Sequence, residues 1–327
     1  MGEAMRRRDF IILLGGAAAG RPLAARAQQH AIPRVGYIWI GARGTDGSVA
    51  GLRQGLTDRG YIVGRNLVLE ERYAEGKAER VPELIAELLA LNVDVLVTPG
   101  TPITLAAQRA TSTIPIVCVT GNPVGVGLVA SLAHPGGNIT GLSLLSGDYS
   151  AKWLELLKEV VPKLHRVAVL WNQDNLGTVR QLEHMRETAQ VLGLDLTVLS
   201  ARPGEIEASL AAITGTSFEG LVVTDDPFLE PLIPRIIVLA AQRRLPALYA
   251  FNTSVRQGGL MSYSANFFTL WHRAAGYVDR ILKGAHPADM PIEQATEVAL
   301  NINLKTAKAL GLAIPPTLLA IANEVTE

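Results

Sequence analysis

Two adjacent acidic residues, Asp225 and Asp226, follow the apolar run at 220–224. A carboxylate at such a position can face an ammonium group of a ligand, because opposite charges attract strongly where water is excluded. Asp226 also precedes Pro227, which is the arrangement of a helix N-cap before a proline at the first helical position. Capping and ligand contact therefore both stay open for Asp226. Asp225 has no evident capping role, so it is the stronger candidate for ligand contact.

Polar residues follow other apolar runs, and we predict ligand contacts for Thr101, Thr120, Asn122 and Asn172. Helices are expected to begin after Thr101 and Asn122, where free backbone N–H groups and the helix dipole favour an anion such as a carboxylate. Thr101 precedes Pro102, so an N-cap role is its alternative. The alternative for Asn172 is construction of a turn.

Four aromatic residues end or follow apolar runs, and we predict that they contact an apolar part of the ligand: Trp39, Trp171, Phe251 and Tyr263. An aromatic ring offers a large apolar surface and can also face a cation. Packing beneath a sheet is the alternative for Trp39 and Trp171. These rings, with the acids and the helix starts, suit a small polar or zwitterionic ligand.

The patterns of common catalytic and metal sites are missing. The six His are scattered, without an H-x-x-x-H spacing, and the single Cys, Cys118, lies in an apolar run. G-x-S-x-G and G-x-x-x-x-G-K-[ST] do not occur. We therefore predict no metal site, no cofactor and no catalytic residues, so that the protein is not an enzyme.

One motif, Gly125 to Ala130, matches the G-x-G-x-x-A pattern of dinucleotide sites, and Asp148 lies about 20 residues later. The match begins several residues after its strand, and Pro123 lies in the turn. We interpret these glycines as the start of a closely packed helix near 125–133.

Short apolar runs alternate with helical stretches from Arg34 onward, which is typical of parallel strands joined by crossover helices. The second half repeats the order of the first: Trp39 and Trp171 are 132 positions apart, and Pro115 and Pro246 are 131 apart. A period near 130 exceeds the roughly 20–50 residues of solenoid repeats. The sequence therefore predicts two similar α/β lobes, each with a mostly parallel sheet flanked by helices. Ligands bind at the carboxyl ends of such strands, so the cleft is expected between the lobes.

We predict that the chain divides into two lobes with crossing segments. Residues 28–147 form the N-terminal lobe, to which about 258–285 cross back, and residues 148–257 form the C-terminal lobe together with about 286–327. The length is sufficient for two domains with their own cores.

Residues 1–27 are predicted to be an export signal. A basic run precedes the apolar stretch 10–20, and small residues end at Ala27. Arg7 and Arg8 resemble a twin-arginine motif, which implies a folded, periplasmic protein. The apolar stretch is shorter than the roughly 20 residues of a membrane-spanning helix, so we expect no stable membrane insertion after cleavage. An uncleaved anchor and a basic tail on a cytosolic protein are the alternatives, and Met5 is an alternative start.

Charge argues against a nucleic-acid partner. The chain has 30 basic and 30 acidic residues, but residues 1–27 contain five Arg and two acids, which leaves a net charge of −3 on the remainder. Neutralisation of phosphates supplies most non-specific affinity for nucleic acids. The remainder of the chain has no such excess of positive charge.

Blocks along nearly the whole chain resemble the ABC-transporter substrate-binding family, and its tryptophan/tyrosine type in particular. These blocks are the leader and residues 53–89, 97–117, 127–145, 258–267 and 304–320. The resemblance implies a type I periplasmic-binding-protein fold, an aromatic amino acid as solute, and delivery to a membrane permease. Family members often have Asp-Pro where this chain has Asn122-Pro123, so an amino-group contact there is not expected.

We therefore expect an exported solute receptor that closes its lobes on a small molecule, with an aromatic amino acid favoured, and that docks on an ABC importer. An exported enzyme or a ligand sensor on the same fold is the alternative. A transcriptional regulator of the lactose-repressor type would need a basic helix-turn-helix where the leader stands.

Overall fold

The computed structural model describes five stretches of the chain, which are residues 32–44, 48–144, 146–214, 217–295 and 297–327. The export signal expected over 1–27 and its cleavage site lie outside the described residues. None of the helices in the described part of the chain has both the length and the apolar character needed to cross a membrane.

The described strands are, in chain order, β1 (Arg34–Trp39), β2 (Val68–Tyr73), β3 (Val95–Pro99), β4 (Ile116–Gly121), β5 (Ile139–Leu144), β6 (Arg166–Trp171), β7 (Asp195–Ser200), β8 (Gly220–Val223), β9 (Ala247–Tyr249), β10 (Met261–Ala265), β11 (Glu293–Gln294), β12 (Val298–Asn303) and β13 (Glu324–Thr326). The described α-helices are α1 (Ser48–Thr57), α2 (Val81–Ala90), α3 (Thr101–Ala110), α4 (Ser146–Val160), α5 (Val179–Leu192), α6 (Ile206–Ala212), α7 (Ile233–Gln242), α8 (Phe267–Leu282), α9 (Leu304–Leu310) and α10 (Pro316–Ile321).

The strands form two sheets with a common order. The first sheet runs β2-β1-β3-β4-β5-β11, and the second runs β7-β6-β8-β9-β10-β12-β13. All neighbours are parallel except the antiparallel pair of β10 and β12. The inner strands are continuous apolar runs because helices cover both faces of a parallel sheet. The predicted fold class, two similar α/β lobes with mostly parallel sheets, is confirmed.

The repeat also places the two tryptophans Trp39 and Trp171 at the same position in the two sheets. Trp39 is the last residue of β1, and Trp171 is the last residue of β6. Both first strands therefore end at the same edge of their sheets, where the loops that follow them lead into helices. This edge of each sheet faces the other lobe.

The chain changes lobes between β5 and α4, between β10 and α8, and between β11 and β12. We expected the return to the first lobe to begin near 258, but β10 lies in the second sheet between β9 and β12. This strand is the fifth of its sheet, as β5 is of the first, so the return to the first lobe begins at α8. We also expected residues from about 286 in the second lobe, whereas β11 pairs with β5 in the first sheet.

Helix α8 is held against α1 by an unusually close backbone approach. A Cβ atom on Gly51 would overlap Phe268 O, and one on Gly55 would overlap His272 O and lie 2.7 Å from Ala275 Cβ. Only glycine allows the helices to approach to this distance. The contact fixes the first turn of α8, which carries side chains to the space between the lobes.

Candidate functional site

A narrow cavity lies between the lobes, at the carboxyl ends of the parallel strands. Both lobes contribute to its wall, as the six residues Trp39, Thr101, Gly121, Gln181, Asp225 and Phe251 illustrate. The cleft therefore lies where the strand pattern places it, since loops after parallel strands converge at one edge of a sheet.

One part of the wall is aromatic. Trp39 and Trp271 are both buried, and Trp271 packs edge-on against Tyr37 with the ring centroids 6.2 Å apart. Phe251 of the second lobe stacks on Phe267 at the start of α8, at 5.8 Å and 25° between the planes. Four of these rings, all but that of Tyr37, line the cavity. Such a surface suits an apolar or aromatic group of a ligand.

A second part of the wall is acidic. Asp225 is 6% exposed and accepts a hydrogen bond from the side-chain amide of the fully buried Gln181. The half-buried Glu230 also lines the cavity. Among the described residues, no Lys, Arg or His side chain lines it. The acidic part therefore favours a positively charged group of a ligand.

A third part of the wall is the beginning of α3. Gly100 precedes this helix at φ 75°, and no side chain caps the first turn by a hydrogen bond. We considered an N-cap role for Thr101, but Gly100 takes that position and Thr101 begins the helix. Thr101 Oγ1 lies 2.6 Å from Thr120 Oγ1 and donates to Gly121 O at 3.1 Å. The helix start can accept a carboxylate, whereas Thr120 lies behind Thr101 and does not line the cavity.

Asp226 and Asn172 build the loops of the second lobe. The Asp226 carboxylate accepts from Asn175 Nδ2 at 2.7 Å, from Asn172 Nδ2 at 3.2 Å and from the backbone N–H of Phe228 at 2.8 Å. Burial raises the pKa of Asp226, and these donors oppose that effect. Asp226 is 1% exposed and does not line the cavity. The expected helix start at Pro227 is a turn over 227–229, and the carboxylate of Asp226 closes this turn instead of capping a helix.

Asn122 does not face the cavity. It is exposed at φ 43°, and its Oδ1 accepts from the backbone N–H of Gly125 at 3.1 Å. The helix expected near 125–133 is absent, because residues 123–127 form a turn. The prediction of a helix start after Asn122 is therefore wrong, and the two glycines and the proline of residues 123–127 account for the turn.

Trp171 and Tyr263 also lie away from the cavity. Trp171 Nε1 donates to Thr178 Oγ1 at 2.9 Å, so this ring lies behind a residue that does line it. Tyr263 packs edge-on against Tyr149 in the second lobe, with the ring centroids 6.0 Å apart. Both rings support the wall from within the lobe.

Several residues of the wall were not singled out from the sequence: Gln181, Glu230, Phe267 and Trp271. Gln181 gave a signal, since it is a polar residue on a helix face otherwise formed by Leu182, Met185 and Ala189. Phe267 and Trp271 reach the cavity because α8 crosses between the lobes, which periodicity within one segment does not reveal.

Two lobes with the same order of their first five strands, and with a cavity between their strand ends, define a two-lobed binding-protein fold. The family follows from the comparison of sequences. The model of the ABC transporter substrate binding protein family matches residues 38–326, so the chain belongs to this family. The resemblance noted from the sequence blocks is thereby confirmed.

Three relatives illustrate the similarity. The tyrosine-binding protein of Clostridioides difficile is 26% identical over 271 residues, which cover 82% of this chain and 77% of that protein. A conserved domain protein from Vibrio cholerae has a structure with a TM-score of 0.83 and 30% identity, over 90% of this chain and 100% of that chain. An ABC domain in complex with L-Trp from Streptococcus pneumoniae has a TM-score of 0.82 and 24% identity, with the same coverage.

Proposed function

We propose that this protein is the extracytoplasmic substrate-binding protein of an ABC importer, and that it captures an aromatic amino acid for delivery to a membrane permease. The observation that carries the proposal is the distribution of chemistry around the cavity, with aromatic rings on one part and an acidic corner on another. An aromatic amino acid has the matching ring and ammonium group.

The proposed pose uses all three parts of the wall. The ammonium group faces Asp225, and the carboxylate meets the backbone N–H groups at the start of α3, beside Thr101. The ring of the solute lies among Trp39, Phe251 and Trp271. Since no base lines the cavity in the described part of the chain, the helix start is the feature that can balance the carboxylate.

Closure of the lobes supports the same proposal. Loops of both lobes touch at the cavity, where Gly121 meets Gly177 and Gly100 meets Pro227. Three connections between the lobes can act as hinges, and opening at these contacts would give a solute access. The bound solute would join the two walls, because Thr101 belongs to the first lobe and Asp225 to the second.

Binding without turnover is part of the proposal. In the described part of the chain, the cavity wall contains no Ser, Cys, His or Lys side chain. A Ser or Cys nucleophile with an adjacent His or Lys base is therefore not assembled there. Recovery of a chemically changed solute from the purified protein would contradict this.

Export is proposed from the leader at 1–27. We expect the protein in the periplasmic fraction, and we expect replacement of Arg7 and Arg8 by Lys to retain it in the cytoplasm, because the twin-arginine route depends on both residues. A protein that is periplasmic in both forms would indicate another export route.

The test of the solute is a thermal-shift screen followed by titration calorimetry on the purified protein. A solute that binds only the folded state raises the melting temperature by mass action, by about 2.7 kcal/mol of stability at 100 times its Kd. We expect shifts with L-tryptophan, L-tyrosine or L-phenylalanine and none with ribose or adenine. Shifts only with a sugar, a purine or an aliphatic amino acid would refute the aromatic assignment.

A further inference from the structure

Gln181 is a buried amide at the cavity. It lies in the first turn of α5, is 0% exposed, and shares its buried face with Leu182 and Met185. Burial of an amide among apolar side chains is unfavourable unless its polar atoms are hydrogen-bonded. The free-energy cost of burying Gln181 therefore depends on the hydrogen-bond partners of its amide nitrogen and its amide oxygen.

One half of the Gln181 amide has a partner and the other half does not. Nε2 donates to Asp225 Oδ1. Oε1 is equally buried, and among the described residues it has no hydrogen-bond partner. An ionised carboxylate accepts hydrogen bonds and cannot donate them, so Asp225 fixes the amide with its nitrogen toward the carboxylate. Oε1 remains as an acceptor at a cavity that Gln181 lines.

Gln181 and Asp225 together form a corner that offers acceptor oxygens to the cavity. Asp225 supplies a negative charge, and Gln181 supplies a neutral acceptor beside it. A primary ammonium group carries three N–H donors, enough to serve both residues at once. A hydroxyl has one donor, and a carboxylate has none and would be repelled by Asp225.

We infer that Gln181 is a specificity-determining residue, whose Oε1 accepts a second hydrogen bond from the ammonium group held by Asp225, so that the pair selects primary amines. The inference rests on the proposed function and adds the class of amine to it. It also gives Gln181 two roles, since its nitrogen orients the carboxylate while its oxygen contacts the solute.

The probes are L-tryptophan, N,N-dimethyl-L-tryptophan and indole-3-propionate. The dimethyl compound keeps the ring, the carboxylate and the positive charge but retains a single N–H donor, and indole-3-propionate lacks the amine. With the wild-type protein, titration calorimetry should give at least about tenfold tighter binding of L-tryptophan than of the dimethyl compound, which is about 1.4 kcal/mol. Indole-3-propionate should bind more weakly still.

Gln181→Leu removes the donor and the acceptor while filling similar space on an apolar face. We expect about tenfold weaker binding of L-tryptophan and a ratio between L-tryptophan and the dimethyl compound that falls toward one. Met185→Leu, on the same buried face of α5, is the packing control and should keep both the affinity and the ratio. A role of Gln181 in folding alone would weaken both probes equally and leave the ratio unchanged, which would overturn the inference.

Titration of the three probes with the wild-type protein distinguishes failure of this inference from failure of the proposed function, and it needs no variant. Equal affinity for L-tryptophan and the dimethyl compound overturns the role of Gln181 and leaves an aromatic solute in place. Absence of binding by every aromatic amino acid overturns the proposed solute and the inference with it.

Discussion

Gly177 of the second lobe faces Thr101 of the first so closely that a Cβ atom on Gly177 would overlap Thr101 Oγ1 and lie 2.9 Å from Thr101 Cβ. Gly121 belongs to the same contact, because its Cβ would lie 2.8 Å from Gly177 O. The lobes thus meet at the cavity through positions that have no room for a side chain. A methyl group there would hold the lobes apart at the mouth of the proposed site.

Replacement of Gly177 by Ala should weaken solute binding through closure. Overpacking of a close contact costs about 1–3 kcal/mol, so we expect a Kd that is roughly 5- to 150-fold higher by titration calorimetry. Gly137→Ala is the matched control, because a Cβ on Gly137 has nothing within 4 Å. If Gly177→Ala and Gly137→Ala bind the solute equally well, the contact between Gly177 and Thr101 is not needed for binding.

Replacement of Asp225 by Asn should weaken solute binding, whereas replacement of Asp226 by Asn should lower the stability of the fold. At position 225, Asn keeps an oxygen for Gln181 and loses the charge, so affinity for an ammonium-bearing solute should fall by at least about tenfold. The melting temperature of the ligand-free variant should change little. The same affinity in Asp225→Asn and in the wild-type protein would remove Asp225 from the site.

Asp226→Asn should instead lower stability. The new amide nitrogen would face a donor, either from Asn172 and Asn175 or from the backbone of Phe228. A buried donor without an acceptor costs about 1–3 kcal/mol, which denaturant unfolding of the ligand-free protein can measure. An unchanged free energy of unfolding would mean that the loops hold their geometry without this carboxylate.

The duplicated architecture could be predicted because the apolar runs of parallel strands are distinctive and Trp39 and Trp171 mark equivalent strand ends. The lobe to which β10 belongs could not be predicted in the same way. The pattern of apolar and polar residues identifies β10 as a strand. Whether β10 pairs with β9 or with a strand of the other sheet depends on contacts between residues distant in sequence. The chain therefore returns to the first lobe at helix α8, and not at the strand near residue 258 as expected.

The residues of the candidate site could likewise be predicted only in part. Trp39, Thr101, Asp225 and Phe251 line the cavity because each lies at or just after the carboxyl end of a strand, which topology alone brings to one edge. The helix expected near 125–133 is a turn, since apolar spacing did not outweigh its glycines. Gln181 was missed although it lies on the apolar face of α5, because the periodicity of one helix does not show that this face meets a cavity formed with the other lobe.

Gly55→Ala should destabilise the first lobe although the same change usually stabilises a helix by roughly 0.5–1 kcal/mol. The new Cβ would overlap His272 O on the backbone of α8, which cannot rotate away as a side chain can. We expect a loss of about 1–3 kcal/mol in the free energy of unfolding. Gln54→Ala, at an exposed position of the same helix, should stay within about 0.5 kcal/mol. A stabilising effect of Gly55→Ala would mean that α8 moves aside at little cost.

Cys118 should be inert in the folded protein. It is the single Cys of the chain, it is fully buried in β4, and burial raises the pKa of its thiol to about 12. The thiolate is the reactive form, so at pH 8 its fraction falls about 1,000-fold relative to a thiol with the ordinary pKa of 9.0. Ellman's reagent should find no reactive thiol in the native protein and one in guanidinium chloride.

The same pKa shift sets the sign of a pH effect on stability. The folded state holds the Cys118 proton more tightly than the unfolded state, so this contribution is complete below pH 9 and is lost as the pH rises toward about 12. Cys118→Ala removes the titrating group. The difference in free energy of unfolding between wild type and Cys118→Ala should be constant from pH 6 to 8 and should shift against the wild type above pH 9. Rapid labelling of the native thiol at pH 8, or a difference that stays constant through pH 10, would mean that β4 opens to solvent in the folded state.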